Sequence, residues 1–326
     1  MRVILPLAVL VVALFAASLL IGPAAIGLRA SLHALVTGEG EAVVLVMREI
    51  RLPRALLGLM VGAALGLSGA AMQGYLRNPL AEPGLIGVSP AASLGAVVAM
   101  QTGLVAMFAP ALPLAALLGA GLSVALLFVL AGPGGGALAL ILAGVALSAL
   151  AGALTSLVLS LSPNPFAMME IVFWLMGSLA DRSMLHVWLA APVMALGVGL
   201  LWRTGRGLDA LTLGEDAAAS LGIPLARLRA QVVLGVAALV GAATAVAGAV
   251  GFVGLVVPHL LRPLVGGRPS ALLPVSALGG AAVVLAADIA TRVIAPDRDL
   301  KLGVLTAIVG APFFFRLIWQ MRRGAE

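Results

Sequence analysis

The sequence predicts an all-α integral membrane protein in which about ten transmembrane helices form a compact bundle. Three observations lead to this fold class. Of the 326 residues, 62% are hydrophobic and only 10% are charged, and the mean hydropathy is +1.19. The charges gather in short clusters between long uncharged runs, as expected of bilayer-spanning helices. The chain also holds 40 glycines, and small residues allow helices to pack closely in lipid.

Ten spans follow from dividing the uncharged runs by about 20 residues, the length of helix that crosses the hydrocarbon layer. The run 83–169 is long enough for three spans, with breaks near 101–103 and 132–136. The predicted spans are residues 3–28, 55–76, three within 83–169, 185–202, 230–250, a short one at 254–261, 271–289 and 303–318. We interpret 3–28 as a true span, because its apolar run is too long for a signal peptide. Residues 1–326 are expected to form a single transmembrane domain.

The excess of basic over acidic residues is explained by membrane topology. The net charge is +6, but the arginines lie singly or in pairs at the ends of spans, not in a long run that would bind nucleic acid. With a cytosolic N-terminus, the ten spans place a modest excess of arginines inside. We therefore expect the lipid bilayer, and no nucleic acid, among the partners.

Residues that several enzyme classes require are missing from the sequence. There is no cysteine, and the one lysine, Lys301, follows Leu300 and not a phosphate-binding loop, so the chain cannot hydrolyse ATP itself. His33, His186 and His259 are far apart and form no metal-binding or catalytic pattern. An intramembrane enzyme would need a nucleophile beside a base, and no spacing suggests one. We expect no enzyme activity, no metal site and no cofactor bound by this chain.

Asp288 is the ionisable residue that lies well inside an apolar segment, where an ion-driven carrier would need one. Arg292 follows one helical turn later, so an ion pair within the helix is the simpler interpretation. An ion-coupled secondary transporter that uses Asp288 is the alternative function.

The substantial cytosolic segment, about residues 203–229, contains a predicted short helix. Gly214 permits the chain to enter the helix, Glu215 and Asp216 suit its positive N-terminal end, and Gly222 ends it. Such a helix is either a connector between spans or a rigid surface offered to a separate motor subunit.

A weak internal repeat also favours a transporter. The pattern VGAAxxxxGA occurs at residues 61–70 and again at 240–249, and the same offset carries Pro79 onto Pro258, so each copy is expected to end in a broken helix. Duplicated halves with interrupted helices are typical of alternating-access bundles. Chance is an equally good explanation in a chain so rich in alanine and glycine.

Six motifs together resemble those of the FecCD-type permeases of ABC importers, which serve iron–siderophore, haem and cobalamin uptake. They are RLPR at 51–54, GAAMQ at 69–73, NPLAEPGLIGVS at 78–89, GEDAA at 214–218, GFVGLVVPH at 251–259 and GAPF at 310–313. The resemblance covers nearly the whole chain, and residues 78–89 are similar to the cobalamin permeases in particular.

The resemblance implies a type II ABC importer permease with ten spans per subunit in the bacterial inner (plasma) membrane. The expected partners are a second copy in a homodimer or a sister permease, two cytosolic ABC ATPase subunits and a periplasmic substrate-binding protein. ATP and Mg²⁺ would be bound by the ATPase subunits.

The resemblance also implies roles for three sets of residues. ATPase coupling would involve Gly214, Glu215, Asp216, Ala217, Ala218, Leu221 and Gly222. Docking of the binding protein would involve Arg51, Arg54 and Arg292, although Asp288 competes for Arg292. The translocation pathway would be lined by Ala137, Leu138, Ser148, Thr155 and Ser156. The chain departs from the cobalamin-like pattern at residues 137–138 and 299–303. The resemblance therefore implies no specific gate residues at the inner end of the pathway and no specific residues for the outer loop.

Overall fold

The computed structural model describes residues 3–323, apart from residues 23, 25, 39, 133, 134, 297 and 299. This part of the chain is helical and contains no β-strand. The α-helices are α1 (Ile4–Leu20), α2 (Leu28–Thr37), α3 (Glu41–Val44), α4 (Leu52–Tyr75), α5 (Val88–Gln101), α6 (Leu104–Met107), α7 (Ala111–Ala131), α8 (Ala137–Ser160), α9 (Pro165–Leu175), α10 (Met184–Trp202), α11 (Gly205–Leu211), α12 (Glu215–Ser220), α13 (Leu225–Ala247), α14 (Val253–Leu261), α15 (Pro269–Ile294) and α16 (Leu302–Arg323). A π-helical segment, Leu45–Arg51, leads into α4, and 3₁₀ turns lie at Pro83–Ile86 and Arg262–Val265.

Each predicted span contains a helix, which confirms the predicted fold class. Within the described residues, six helical stretches are long and apolar enough to cross a membrane, judged by length and composition. They contain α4, α7, α8, α10, α13 and α15. The other four predicted spans hold shorter apolar helices, namely α1, α5, α14 and α16.

The structure corrects the predicted chain path at two places. The predicted span 3–28 is too long, because α1 ends at Leu20 and α2 begins only at Leu28. The sequence Gly22-Pro23 explains this end, since proline and the residue before it disfavour a continuing helix. The run 83–169 also contains the start of a further apolar helix, α9, beyond the three predicted spans, and the short helix α6. Asn164 begins α9, and its Oδ1 accepts a hydrogen bond from the Phe166 amide at 3.0 Å.

The centre of the bundle is α4, which packs against α1, α10, α13, α14 and α15. Glycine permits the closest of these approaches. A methyl group on Gly66 would overlap the carbonyl oxygen of Ser276 on α15, and one on Gly69 would overlap that of Gly254 on α14. Small residues thus replace side-chain packing by direct backbone contact, as in other membrane helix pairs.

Two ends of the bundle are defined by their charged residues. At the Asp288 end, Arg54 near the start of α4 contacts Asp288 near the end of α15. At the Glu215 end, Tyr75 at the end of α4 lines a cavity together with Glu215 and with Arg229 near the start of α13. Helices α4 and α13 therefore run in opposite directions.

The internal repeat does not mark equivalent positions in the structure. Residues 61–70 lie wholly inside α4, which continues to Tyr75, whereas residues 240–249 run past the end of α13 at Ala247. The first copy is followed by a break, because α4 ends at Tyr75 before Pro79, whereas Pro258, the proline expected at the equivalent place, lies inside α14. The second copy does end at a break, because Gly248 has φ +70° and takes the chain out of the helix.

Candidate functional site

Asp288 on α15 lies at the centre of a buried ion network. Its side chain is 1% exposed, and Oδ2 accepts a hydrogen bond from Arg292 Nη2 at 2.8 Å, one helical turn away. This confirms the predicted ion pair within the helix. Arg54 on α4 donates from Nε and Nη2 to Asp288 Oδ1, both at 2.9 Å. One carboxylate thus binds two guanidinium groups and connects α4 to α15.

Arg51 and Arg292 also satisfy the C-terminal end of α1. A helix leaves its last carbonyl oxygens without partners, and these carry a partial negative charge. Arg51 Nη1 donates to the carbonyl oxygens of Leu19 and Leu20, at 3.0 and 2.9 Å. Arg292 Nη1 donates to that of Ser18, at 2.9 Å. The two arginines therefore cap α1 from neighbouring segments.

The three arginines predicted to dock a binding protein all belong to this network. Arg51 is 4% exposed, the Arg292 side chain 6% and the Arg54 side chain 19%. Their guanidinium groups are engaged by helix carbonyls or by Asp288. Docking stays a prediction for all three, and Arg54 offers the largest exposed fraction to a partner.

The surroundings of Asp288 are those of a structural carboxylate. A carboxylate that binds and releases a transported ion needs oxygens free to exchange partners, whereas both Asp288 oxygens are held by arginines. The ion-coupled alternative therefore gains no support from this geometry.

The short helix predicted between Gly214 and Gly222 is confirmed as α12, Glu215–Ser220, at the opposite end of the bundle from Asp288. Gly214, with φ +105°, and Gly222, with φ +81°, flank it in conformations that glycine adopts readily. Ala218 is buried against the bundle, so the helix is fixed along one side. The predicted coupling residues lie on this helix and its flanks: Gly214, Glu215, Asp216, Ala217, Ala218, Leu221 and Gly222.

The outward surface of α12 is polar in its first turn and apolar at both flanks. Glu215 and Asp216 are exposed, and Leu221 beyond the helix is 64% exposed. Leu213, which is 69% exposed, mirrors Leu221 on the other flank and was not selected from the sequence. The sequence carries a signal for Leu213, because a large apolar residue directly precedes the helix-entry glycine in a segment that holds several charged residues.

Glu215 makes only a weak contact with the rest of the bundle. Its Oε1 lies 3.9 Å from Arg77 Nη2, and the two side chains are 53% and 47% exposed. An exposed pair of this kind contributes about 0–1 kcal/mol. Glu215 is therefore available to a partner at little cost.

A cavity of about 200 Å³ lies behind α12. Tyr75, Glu215 and Arg229 line it together with Gly135, which precedes α8. Arg229 Nη2 donates to the carbonyl oxygen of Gly132 at 2.6 Å, and its Nη1 donates to that of Gly135. Arg229 was not among the residues selected from the sequence, which offers no local signal for this contact.

The five residues predicted to line the pathway lie along α8, which is largely exposed in the single chain. Ala137 is half-buried and Leu138 is 70% exposed at the start of α8, while Thr155 is half-buried farther along. The hydroxyls of Ser148 and Ser156 donate to carbonyl oxygens one turn back in the same helix, at 2.8 and 3.0 Å. The helix thus offers a surface with few polar groups free for a strong contact.

Ser148 also borders a cavity of about 400 Å³. The segments before α5 and before α14 meet at this cavity. Glu82, before α5, accepts a hydrogen bond from the backbone amide of Phe252, before α14, at 3.2 Å. Thr244 on α13 donates to Ser89 Oγ at 3.0 Å beside the same cavity. Glu82 belongs to the motif at residues 78–89, but its contact with the segment before α14 joins residues 170 positions apart and has no local signal in the sequence.

The three histidines lie in separate local environments. His33 is close to Thr37 on α2, His186 Nδ1 accepts a hydrogen bond from the Ser183 amide at the start of α10, and the His259 ring contacts Phe313. Among the described residues, no group of three or more His, Cys, Asp or Glu is placed to hold a metal ion.

An apolar bundle with interrupted helices, a sparsely polar exposed helix and a short rigid helix at one end defines the class of membrane transport permeases. The chain belongs to the FecCD transport family, whose sequence model matches residues 10–320.

Similarity to individual proteins extends over most of the chain. The Fe(3+) dicitrate transport system permease protein FecD of Escherichia coli is 42% identical over 277 residues, which cover 85% of this chain and 86% of that protein. The cobalamin import system permease protein BtuC of Halobacterium salinarum is 39% identical, over 86% of this chain and 75% of its own length. A solved structure of a metal-chelate type ABC transporter in an inward-facing conformation matches with a TM-score of 0.87 and 34% identity, over 98% of this chain and 99% of that one.

Proposed function

We propose that this permease moves an iron chelate, haem or cobalamin across the bacterial inner membrane, with energy from separate ATPase subunits. The observation that carries the proposal is α12, a short helix fixed along one side by Ala218 and exposed along the other. The names of the relatives, which refer to iron dicitrate and cobalamin, support this substrate class. ATP and Mg²⁺ belong to the ATPase subunits in this proposal, and the chain itself binds no cofactor.

In the proposed complex, α12 is the surface on which an ATPase subunit acts. Glu215 and Asp216 provide the charge of this surface, and Leu213 and Leu221 provide apolar contacts on both flanks. Such a combination of exposed apolar anchors and a charged rim is typical of protein interfaces. The Glu215 end therefore faces the cytosol, and the Asp288 end faces the periplasm.

The exposed face of α8 supports assembly as a homodimer around a shared pathway. A helix with Leu138, Leu142 and Leu150 all more than half exposed is covered either by lipid or by another protein surface. We place a second copy there, with Ala137, Leu138, Ser148, Thr155 and Ser156 of each subunit lining the pathway. Weak polar contacts suit a large cargo that must pass through without being retained.

A substrate-binding protein would dock at the Asp288 end. Of the three arginines, Arg54 has a partly exposed side chain, whereas Arg51 and Arg292 are almost fully buried. Exposed charges of this kind orient an approaching acidic partner more than they add to its affinity.

The test of the coupling role compares charge reversals at two exposed glutamates on different helices. Glu215→Arg places a positive charge on α12, and Glu170→Arg makes the same change on an exposed residue of α9. Each variant is reconstituted in proteoliposomes with the ATPase and the binding protein, and uptake of ferric citrate, haem and cobalamin is measured together with ATP hydrolysis.

We expect Glu215→Arg to lose ATP-dependent uptake or to release the ATPase subunits, and Glu170→Arg to retain both. Equal uptake and equal retention of the ATPase in the two variants would contradict the assignment of α12.

A further inference from the structure

Arg229, on a helix far away in the sequence, binds the described residues on both sides of the connection between α7 and α8. Arg229 donates to the carbonyl oxygens of Gly132, which directly follows α7, and of Gly135, which lies two residues before α8. The arginine is 8% exposed. One planar guanidinium thus joins the end of one long helix to the beginning of the next.

Electrostatics favour a positive group at this point. The last carbonyl groups of α7 carry a partial negative charge and lack partners within the helix. A buried charge is costly unless it is hydrogen-bonded, and the two carbonyl oxygens meet this requirement for Arg229. The inner end of α8, with Ala137 and Leu138, therefore has its position set by Arg229.

The same arginine is close in sequence and in space to α12. Only residues 221–224 separate α12 from α13, and Pro224, whose ring fixes φ, limits the freedom of this short connection. Glu215 on α12 and Gly135 before α8 line the same cavity as Arg229. A displacement of α12 therefore reaches Arg229 through a few residues, and reaches the start of α8 through its two hydrogen bonds.

We propose that Arg229 is a positioning residue that passes movement of α12 to the inner end of α8. The inference rests on the proposed function, because it presupposes an ATPase that moves α12. It goes further by assigning the link between the motor contact and the pathway helix to one buried side chain.

The test compares Arg229→Gln and Arg229→Lys with Arg227→Gln, an exposed arginine on the same helix. The readout is uptake per ATP hydrolysed in the complete complex, normalised to the amount of assembled complex. The cargo is whichever of ferric citrate, haem or cobalamin the unsubstituted complex imports. A second readout is thiol labelling of Leu138→Cys with and without ATP and vanadate, which is simple because the chain has no cysteine of its own.

We expect Arg229→Gln to lower uptake per ATP by roughly tenfold while hydrolysis continues, and to abolish the nucleotide-dependent change in labelling at residue 138. Arg229→Lys keeps the charge but not the two-pronged geometry, so its uptake per ATP should fall between those of Arg229→Gln and the unsubstituted complex. Arg227→Gln should match the unsubstituted complex.

The outcomes separate this inference from the function on which it rests. If the unsubstituted complex shows no ATPase-dependent uptake, the proposed function fails, and the inference fails with it. If that uptake is present and Arg229→Gln keeps the same uptake per ATP and the same labelling change, only the inference is overturned. Equal losses in uptake and hydrolysis per assembled complex would assign Arg229 a purely structural role and would also overturn it.

Discussion

The region built from α1, α4 and α15 and the exposed face of α12 place their charged groups in opposite environments. In the first, Asp288 is fully buried and both of its oxygens bind arginines at 2.8–2.9 Å. In the second, Glu215 is half-exposed and lies 3.9 Å from its nearest partner charge. The difference indicates that the first region holds the fold together, whereas the second presents groups that can exchange partners.

The largest expected effect comes from removing the centre of the buried network. Asp288→Asn leaves Arg54 and Arg292 without their counter-charge, and breaking a buried pair in this way costs about 3–5 kcal/mol. We expect a large loss of thermal stability in detergent, measured by unfolding of the purified permease. An unchanged unfolding temperature would show that the network does not hold α4 and α15 together.

A smaller effect should follow from adding one methyl group at the contact between α4 and α15. Gly66→Ala forces this methyl into the carbonyl oxygen of Ser276, and overpacking of a close contact costs about 1–3 kcal/mol. Gly199→Ala on α10 is the matched control, because an added methyl there has no neighbour within 4 Å. The same thermal unfolding assay compares the two. A control that loses as much stability as Gly66→Ala would argue against backbone contact as the source.

Asp209 on α11 should contribute stability that depends on pH. It accepts hydrogen bonds from the Ser270 amide and hydroxyl, at 2.8 and 2.7 Å, and from Arg268 Nε at 2.9 Å. Burial raises the pKa of this carboxyl, but the bonds from Ser270 and Arg268 outweigh burial, and the net effect lowers the pKa. A lowered pKa in the folded state means that the stabilisation is complete above about pH 4, the range of an unfolded aspartate, and is lost as the pH falls through the folded value.

The variant Asp209→Asn isolates this contribution. At pH 7 we expect it to unfold with about 1–2 kcal/mol less stability than the unsubstituted chain, because hydrogen bonds to a charged group are lost. The difference should shrink when both proteins are unfolded near pH 3. A difference that stays constant between the two pH values would show that the charge of Asp209 does not matter.

The smallest effect on stability is expected at the exposed pair of Arg77 and Glu215. Arg77→Ala removes the neighbour of Glu215 and should change the free energy of unfolding by less than about 0.5 kcal/mol. Chemical unfolding at low and high salt measures this. A loss comparable to that of Asp288→Asn would erase the distinction between the two regions.

Local sequence signals predicted the parts of the structure that depend on neighbouring residues. Gly214 and Gly222 correctly predicted the two ends of α12. Both residues have a positive φ, which glycine adopts readily and which interrupts a helix. The four-residue spacing of Asp288 and Arg292 predicted an ion pair for a similar reason, since helix geometry alone brings them together.

Contacts between distant parts of the chain could not be predicted in the same way. Arg54 and Asp288 are 234 residues apart, and Arg229 and Gly135 are 94 residues apart. Such contacts depend on how the helices cross, which a single sequence does not specify. The sequence predicted that Arg51, Arg54 and Arg292 lie at one end of the bundle. It did not predict that Arg51 binds the carbonyl oxygens of α1 or that Arg54 binds Asp288.

The most direct test of the central claim is uptake into proteoliposomes that contain the permease with its ATPase and binding protein, compared with permease alone under proton or sodium gradients. We predict uptake of one of ferric citrate, haem or cobalamin only when the ATPase and ATP are present. Uptake by the permease alone, driven by an ion gradient and abolished by Asp288→Asn, would contradict the account and would make Asp288 the transporting residue.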